Sequence, residues 1–315
     1  MTKHTQEQEL EDTEAPKTSK AKRLSKKHKI TIATIVIIIL IILAGGVSWL
    51  YTGKLSTSKE KIFRKLPLPV ALVNSKHITS KQLFERVDLA KKVLASSGQP
   101  TDNIELELLD QLIETKKINV IAAQQNVQTT EQDIENSYKA ILRKFPNSDE
   151  NEFSKTLFDN YGMDLATFKK EVVSQTVLQD NLKLWFNQQE SLNNGQYTKA
   201  RELVSQLDSG TPFDEVAKKY SQDTASKDFA GDSGFVKYSD MLPEFQTAVK
   251  DLSIGNIKIV ASRFGIHVLR VNAIEGDSNN QDERTYNLQQ IFIEPADFMG
   301  WIKTQSAQIR TVKLL

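Results

Sequence analysis

Four linked segments between Tyr220 and His267 decide the fold: Ser221-Gln-Asp223, Gly231-Asp-Ser-Gly234-Phe235, Met241-Leu-Pro-Glu-Phe245 and Ser262-Arg-Phe-Gly265-Ile-His267. Glycines punctuate these segments, as short strands joined by tight turns require. Strands are predicted over residues 235–237, 257–260 and 266–271, and a helix after Pro243. The pattern predicts an α+β domain over residues 196–276, with helices around an antiparallel sheet.

These segments, together with the upstream Leu207-Asp-Ser-Gly-Thr-Pro-Phe-Asp-Glu-Val-Ala217, resemble the parvulin (PpiC-like) family of peptidyl-prolyl cis/trans isomerases. The resemblance implies an enzyme that isomerises X-Pro peptide bonds without a cofactor. It implies two sets of site residues: a substrate-binding set of Met241, Phe245, Ser233 and Phe264, and a catalytic set of Asp223, Ser262, His267 and Gln290.

The implied reaction does not require a reactive side chain. Rotation about an X-Pro amide breaks its conjugation but needs neither a covalent intermediate nor a proton transfer. An apolar slot for the proline ring and hydrogen bonds suited to the twisted amide are therefore sufficient. By resemblance, Met241 and Phe245 line the slot, Asp223 lies beside the amide, and Ser262 supports His267.

Each of these residues also has an ordinary structural explanation. Met241 and Phe245 could be helix packing, Asp223 could cap a turn, and His267 could be a core histidine satisfied by Ser262. Their combination at the family spacing favours a site. No histidine lies between His77 and His267, and none follows His267. This excludes a histidine-based metal cluster and a second-histidine triad in the domain, so no metal is expected.

The chain departs from the family pattern at two positions. No strand carrying the family's His-Ile-Leu precedes the first helix, but residues 285–293 read like that strand, with Gln290 at the histidine position. We expect this strand, within a C-terminal extension over residues 277–315, to complete the sheet as in a circular permutation. The alternative is the truncated start of a second repeat. Ser233 stands where the family has leucine, which predicts a smaller, wetter slot, and together with Gln290 it predicts slow turnover.

Residues 66–190 are predicted to be an all-α domain introduced by one short strand. Apolar residues recur at helical spacing from Leu83 to Trp185, and Thr79-Ser-Lys-Gln82 is a capping box. The segment Val70-Ala-Leu-Val-Asn-Ser-Lys-His-Ile-Thr79 and the helices after it resemble the N-terminal chaperone region of SurA-like and PrsA-like foldases. The alternative is a generic helical bundle without an inherited role.

The N-terminus predicts a membrane anchor. Residues 1–29 are highly charged and have almost no apolar content, which indicates a disordered tail, and residues 30–51 form an apolar run of the length that a transmembrane helix needs. The basic residues before this run place the tail in the cytoplasm and the later domains outside. The alternative is a cleaved signal peptide. The absence of cysteine excludes disulfides, thiolate metal sites and a lipid-modified N-terminal cysteine.

These features together predict a single-pass, membrane-anchored foldase outside the cytoplasm that acts on unfolded, exported polypeptides containing X-Pro bonds. The balance of 41 basic and 40 acidic residues offers no general attraction to nucleic acid. Two alternatives remain: a holdase whose parvulin fold has weak or no catalysis, and a structural envelope protein without clients. The sequence does not specify the oligomeric state.

Overall fold

The computed structural model describes residues 46, 48–96, 98–102, 104–145, 147, 149–276 and 280–315. The chain divides into two units, residues 1–59 and 60–315. In the first unit residues 48–51 are helical, and the Lys59 ammonium lies 5.5 Å from the centroid of the Trp49 ring. The predicted tail over residues 1–29 and most of the predicted membrane-spanning segment, residues 30–51, lie outside the described residues. Within the described part of the chain, every helix is too short or too polar to cross a bilayer.

The first half of the described chain is mainly helical. Its helices are α1 (Thr57–Lys65), α2 (Ser80–Ser96), α3 (Glu105–Gln124), α4 (Glu131–Arg143), α5 (Glu150–Tyr161), α6 (Leu165–Phe168) and α7 (Ser174–Gln188). A π-helical turn, Lys169–Val173, joins α6 to α7. Thr130 caps α4 in a reciprocal capping box with Asp133, which satisfies two of the free amides at that helix start.

The helical domain predicted over residues 66–190 begins with a short strand, as expected, but this strand belongs to a small sheet that was not predicted. Strands β1 (Pro69–Val73) and β2 (Lys76–Thr79) form a hairpin, and the C-terminal strand β7 (Thr311–Lys313) pairs with the other edge of β1. Leu72 pairs with Val312, 240 positions later in the chain. A three-residue strand with so distant a partner leaves no local signal in the sequence.

The second sheet has four antiparallel strands: β3 (Asp232–Lys237), β4 (Ile257–Ser262), β5 (Gly265–Glu275) and β6 (Thr285–Ile293). Their order is β3, β6, β5, β4. The strand predicted over residues 285–293 is therefore present and lies between β3 and β5. The C-terminal part of the chain thus supplies a central strand of this sheet.

Helices cover both faces of this sheet. They are α8 (Asn194–Asp208), α9 (Phe213–Tyr220) and α10 (Pro243–Lys250), and the last helix of the chain is α11 (Phe298–Ala307). Ile266, Val268 and Ile291 face α8 and α9. Leu269, Val271 and Leu288 point the other way, into a cluster with Met241 and Val249. This alternation follows from the two-residue period of a strand.

Candidate active site

The site lies on the face of the sheet that α10 covers. His267 on β5 pairs with Phe292 on β6, and Gln290 lies diagonally across the same two strands. Because residues two apart on a strand share a face, Gln290 and Phe292 both project beside His267. The His267 side chain is only 5 % exposed.

A hydrogen-bonded chain of four side chains runs through the site. Ser262 Oγ lies 2.8 Å from His267 Nε2, and His267 Nδ1 lies 2.9 Å from Gln290 Oε1. Gln290 Nε2 donates to Asp223 Oδ2 at 3.0 Å. The structure therefore brings together all four residues of the predicted catalytic set.

The direction of this chain follows from its two ends. An ionised carboxylate only accepts hydrogen bonds, so the amide nitrogen of Gln290 must face Asp223 and its oxygen must face His267. That oxygen also only accepts, so His267 carries its proton on Nδ1. Nε2 is then an acceptor, and the Ser262 hydroxyl donates to it. Every donor between Ser262 and Asp223 therefore has an acceptor, and the chain ends at the Asp223 carboxylate.

The pKa of His267 fits this arrangement. Burial lowers the pKa to about 4, because the imidazolium would lose its hydration; the hydrogen bond to Gln290 and the charge of Asp223 act weakly in the opposite direction. His267 is therefore neutral at physiological pH. A neutral ring can occupy this buried position without a counter-ion.

The loop after α9 holds Asp223 in place. Its Oδ1 accepts the backbone N–H of Ala225 at 3.0 Å, and its Oδ2 accepts the hydroxyl of Ser226 at 2.5 Å. Gly231 follows with a positive φ of 78°, and a Cβ there would lie 2.3 Å from the Gln290 carbonyl oxygen. Only glycine allows this close approach between the loop and β6.

Apolar and aromatic groups surround the histidine. The Phe245 ring meets the His267 ring edge-on at 4.9 Å between centroids, and the Phe292 ring lies 5.1 Å away. Met241 is buried, and half-buried Phe245 packs against the same cluster. The predicted substrate-binding residues therefore form two groups. Met241 and Phe245 belong to the apolar cluster, whereas Ser233 is exposed and Phe264 is 56 % exposed.

Three residues of the site were not predicted from the sequence: Ser226, Phe292 and Asn187. The buried Asn187 amide on α7 donates to the Ser262 carbonyl at 2.8 Å, across 75 positions of the chain. Such a contact leaves no local pattern. The turn that holds Ser226 had a detectable signal, since an aspartate side chain commonly accepts the backbone N–H two residues on, as Asp223 does from Ala225.

Part of the chain matches a known protein family. Residues 169–274 match the model of the PPIC-type PPIase domain. This segment is a parvulin-type domain. The match begins in the π-helical turn, before the predicted boundary at residue 196, and ends before β6, so Gln290 joins the parvulin-type domain from outside the matched residues.

Proteins similar to part of this chain include foldases and a chaperone. Foldase protein PrsA 2 of Bacillus cereus is 32 % identical over 168 residues, which cover 52 % of this chain and 58 % of the relative. Foldase protein PrsA of Caldanaerobacter subterraneus subsp. tengcongensis is 27 % identical over 65 % of this chain and 73 % of its own length. Chaperone SurA of Alkalilimnicola ehrlichii is 35 % identical over 33 % of this chain and 25 % of its own. The matched part spans 58 % of the length of the Bacillus cereus relative.

Proposed function

We propose that this chain is a foldase outside the cytoplasm that accelerates cis/trans isomerisation of X-Pro bonds in exported polypeptides. One observation carries the proposal: a hydrogen-bonded chain from Ser262 through neutral His267 and Gln290 to the Asp223 carboxylate lies beside the apolar cluster of Met241 and Phe245. Polar groups with fixed orientations beside an apolar surface are what rotation about an amide bond requires.

In the proposed mechanism, Asp223 destabilises the planar amide. A planar amide carries partial negative charge on its oxygen through conjugation, and twisting the C–N bond removes that charge. A carboxylate held next to the substrate carbonyl raises the energy of the planar state more than that of the twisted state. Ser226 and Gln290 fix the orientation of Asp223, and neutral His267 fixes Gln290.

Met241 and Phe245 would hold the proline ring and exclude water from the twisting bond. Water stabilises the charge-separated planar amide, so its removal lowers the barrier to rotation. The edge contact with His267 fixes the tilt of the Phe245 ring. No group in this mechanism gains or loses a proton, so a histidine that stays neutral down to about pH 4 is compatible with it.

A second candidate function is a holdase that binds unfolded chains with little or no turnover. Two observations favour it: a glutamine, Gln290, occupies the position that the family gives to histidine, and exposed Ser233 stands where the family has leucine. A peptide could then bind at Phe245 without the full polar surroundings of a family active site.

A refolding assay separates the two candidates. The purified full chain is added to an unfolded client whose slow refolding phase is limited by X-Pro isomerisation, which takes tens of seconds without a catalyst. An isomerase accelerates that phase in proportion to its concentration, and Asp223→Ala abolishes most of the acceleration. A holdase suppresses client aggregation without changing the rate. Neither effect would indicate a structural protein.

We also propose that residues 30–51 anchor the chain in the cell membrane, with residues 1–29 in the cytoplasm and the parvulin-type domain outside. The length and apolarity of that run and the basic residues before it support this orientation. Protease added outside intact cells should digest the folded part and spare a tag at residue 1. Release of the chain from membranes by alkaline carbonate would contradict the anchor and favour a cleaved signal peptide.

A further inference from the structure

A cleft runs along the outer edge of the four-stranded sheet. Strand β4 is the last strand on that side, and a cavity of about 480 Å³ lies against its residues 258–261. Helices α7, α8 and α10 supply the other walls, through Leu184, Gln188, Tyr197, Pro243, Glu244 and Thr247. The volume is in the range of about 300–1,000 Å³ that is typical of ligand sites.

Backbone groups of β4 point into this cleft. Ser262 and Gly265 close a two-residue turn, so Ser262 and the alternate residues before it direct their N–H and C=O groups to β5. The N–H and C=O groups of Ile259 and Ala261 therefore point away from β5. Within the described part of the chain, these groups have no hydrogen-bond partner. An open strand edge of this kind is a template for pairing with another extended chain.

A carboxylate stands at one end of the cleft. Glu244 Oε1 accepts the backbone N–H of Arg263 at 3.3 Å, which places it near the turn between β4 and β5. Glu244 Oε2 is buried and has no hydrogen-bond partner among the described residues. The Arg263 guanidinium is 3.2 Å from Asp180 and so is already paired. A buried carboxylate oxygen of this kind requires a donor, and a cation is the strongest.

We propose that this cleft binds an extended segment of a client polypeptide, which adds a strand to β4 and places a lysine or arginine side chain against Glu244. Four residues of β4 span about 13 Å, so the bound segment has about four residues. Ile259 and Ala261 can exchange up to four backbone hydrogen bonds with it. The occupant is basic because the unsatisfied group at the turn end of the cleft is an anion.

This site is separate from the proposed isomerase site but adjacent to it. Val260 of β4 pairs with His267 of β5, so a client segment on β4 would lie one strand away from the site. The inference rests on the proposed function only in that the ligand is an unfolded polypeptide. A client held at β4 can present a neighbouring X-Pro bond repeatedly, because tethering raises its local concentration.

Calorimetric binding of short peptides to the purified full chain tests the inference. The probe is the proline-free peptide acetyl-Thr-Val-Lys-Val-Thr-amide. One control peptide has glutamate in place of lysine, and a second has N-methyl groups on both valines, which removes donors for strand pairing. We expect the lysine peptide to bind at least tenfold more tightly than either control. Equal binding of all three peptides, or no binding of the lysine peptide, would overturn the proposal.

Variants of the protein test whether the peptides bind in the cleft. Glu244→Gln should abolish the preference for lysine over glutamate, whereas Glu215→Gln, an exposed charge on α9, should leave it intact. Ala261→Pro removes one outward N–H from an edge strand that tolerates proline, and should weaken the lysine peptide about tenfold. If both cleft variants bind like the wild type, the proposal is wrong. Peptide binding with these dependencies but without acceleration of proline-limited refolding would refute the isomerase proposal alone.

Discussion

Two hydrogen-bonded chains cross the four-stranded sheet on opposite faces and have the same connectivity. On one face His267 of β5 contacts Gln290 of β6, which donates to Asp223. On the other face Arg270 of β5 donates to Gln289 of β6, which donates to Asp214 at 2.9 Å. The two glutamines are consecutive, so they point to opposite faces.

The difference between the chains lies in charge and surroundings. Half-buried Arg270 remains charged although burial lowers its pKa, and its guanidinium lies 4.6 Å from the centroid of the Phe213 ring of α9. His267 is neutral and faces the apolar cluster that includes half-buried Phe245. A hydrogen-bonded chain of a basic side chain, an amide and a carboxylate is therefore one way to satisfy buried polar groups. Such a chain becomes a candidate site only where it adjoins an apolar surface that a ligand can reach.

The largest expected effect is on stability at low pH. The pKa of His267 is about 4 in the folded state and about 6.5 when unfolded, so between these values the unfolded chain binds a proton that the folded chain does not. Its contribution to the free energy of unfolding should fall by about 3 kcal/mol as the pH drops from 6.5 to 4. Denaturant unfolding of the wild type and of His267→Gln across this pH range measures this loss of free energy. Arg270→Gln should not alter the pH dependence of the free energy of unfolding in this range. If it does, the two hydrogen-bonded chains do not differ in charge as described.

The next effect is on turnover. His267→Ala frees Gln290, and with it Asp223, so the rate constant for proline-limited refolding should fall about a hundredfold, or about 2.7 kcal/mol in the barrier. Arg270→Ala should change it less than twofold, because Arg270 faces away from the apolar cluster. Circular dichroism should show that both variants are folded. Equal losses in the two variants would mean that the faces are not functionally distinct.

A third comparison concerns the glycine that lets the loop approach β6. A Cβ at Gly231 would collide with the Gln290 carbonyl oxygen, whereas Gly234, also at positive φ, has open space around it. Both substitutions to alanine strain the backbone, so the extra cost at Gly231 isolates the close approach. We expect Gly231→Ala to lower the free energy of unfolding by about 2 kcal/mol more than Gly234→Ala. Equal thermal midpoints for the two variants would show that the loop can move away from β6.

The sequence predicted the strands of the larger sheet because each is bounded by turn residues and has an apolar stripe. It also predicted that residues 285–293 would join that sheet, since their pattern matched a strand missing upstream. Only the first strand of the smaller sheet was predicted; its pairing with β7 was missed because β7 has three residues and its partner lies about 240 positions away. The Asn187 contact with Ser262 was missed for the same reason. Neighbouring residues encode local periodicity, but the register between distant segments depends on packing that periodicity does not contain.

The smallest and most selective effect should come from the two glutamines. Gln290→Ala breaks the link between His267 and Asp223, and turnover should fall about tenfold, equivalent to about 1.4 kcal/mol in the barrier. Gln289→Ala should leave turnover unchanged and lower the free energy of unfolding by about 1 kcal/mol, because Arg270 and Asp214 lose a buried partner. The refolding assay and denaturant unfolding measure the two quantities on the same samples.

Gln290→His completes this test. A neutral imidazole accepts at one nitrogen and donates at the other, so it can replace the amide oxygen toward His267 and the amide nitrogen toward Asp223. Turnover should therefore stay within about threefold of the wild type or rise above it, whereas Gln290→Ala lowers it. If histidine and alanine at position 290 reduce turnover equally, the direction of the chain is not what orients Asp223. The explanation would then lie in the apolar contacts of Phe245 and Phe292.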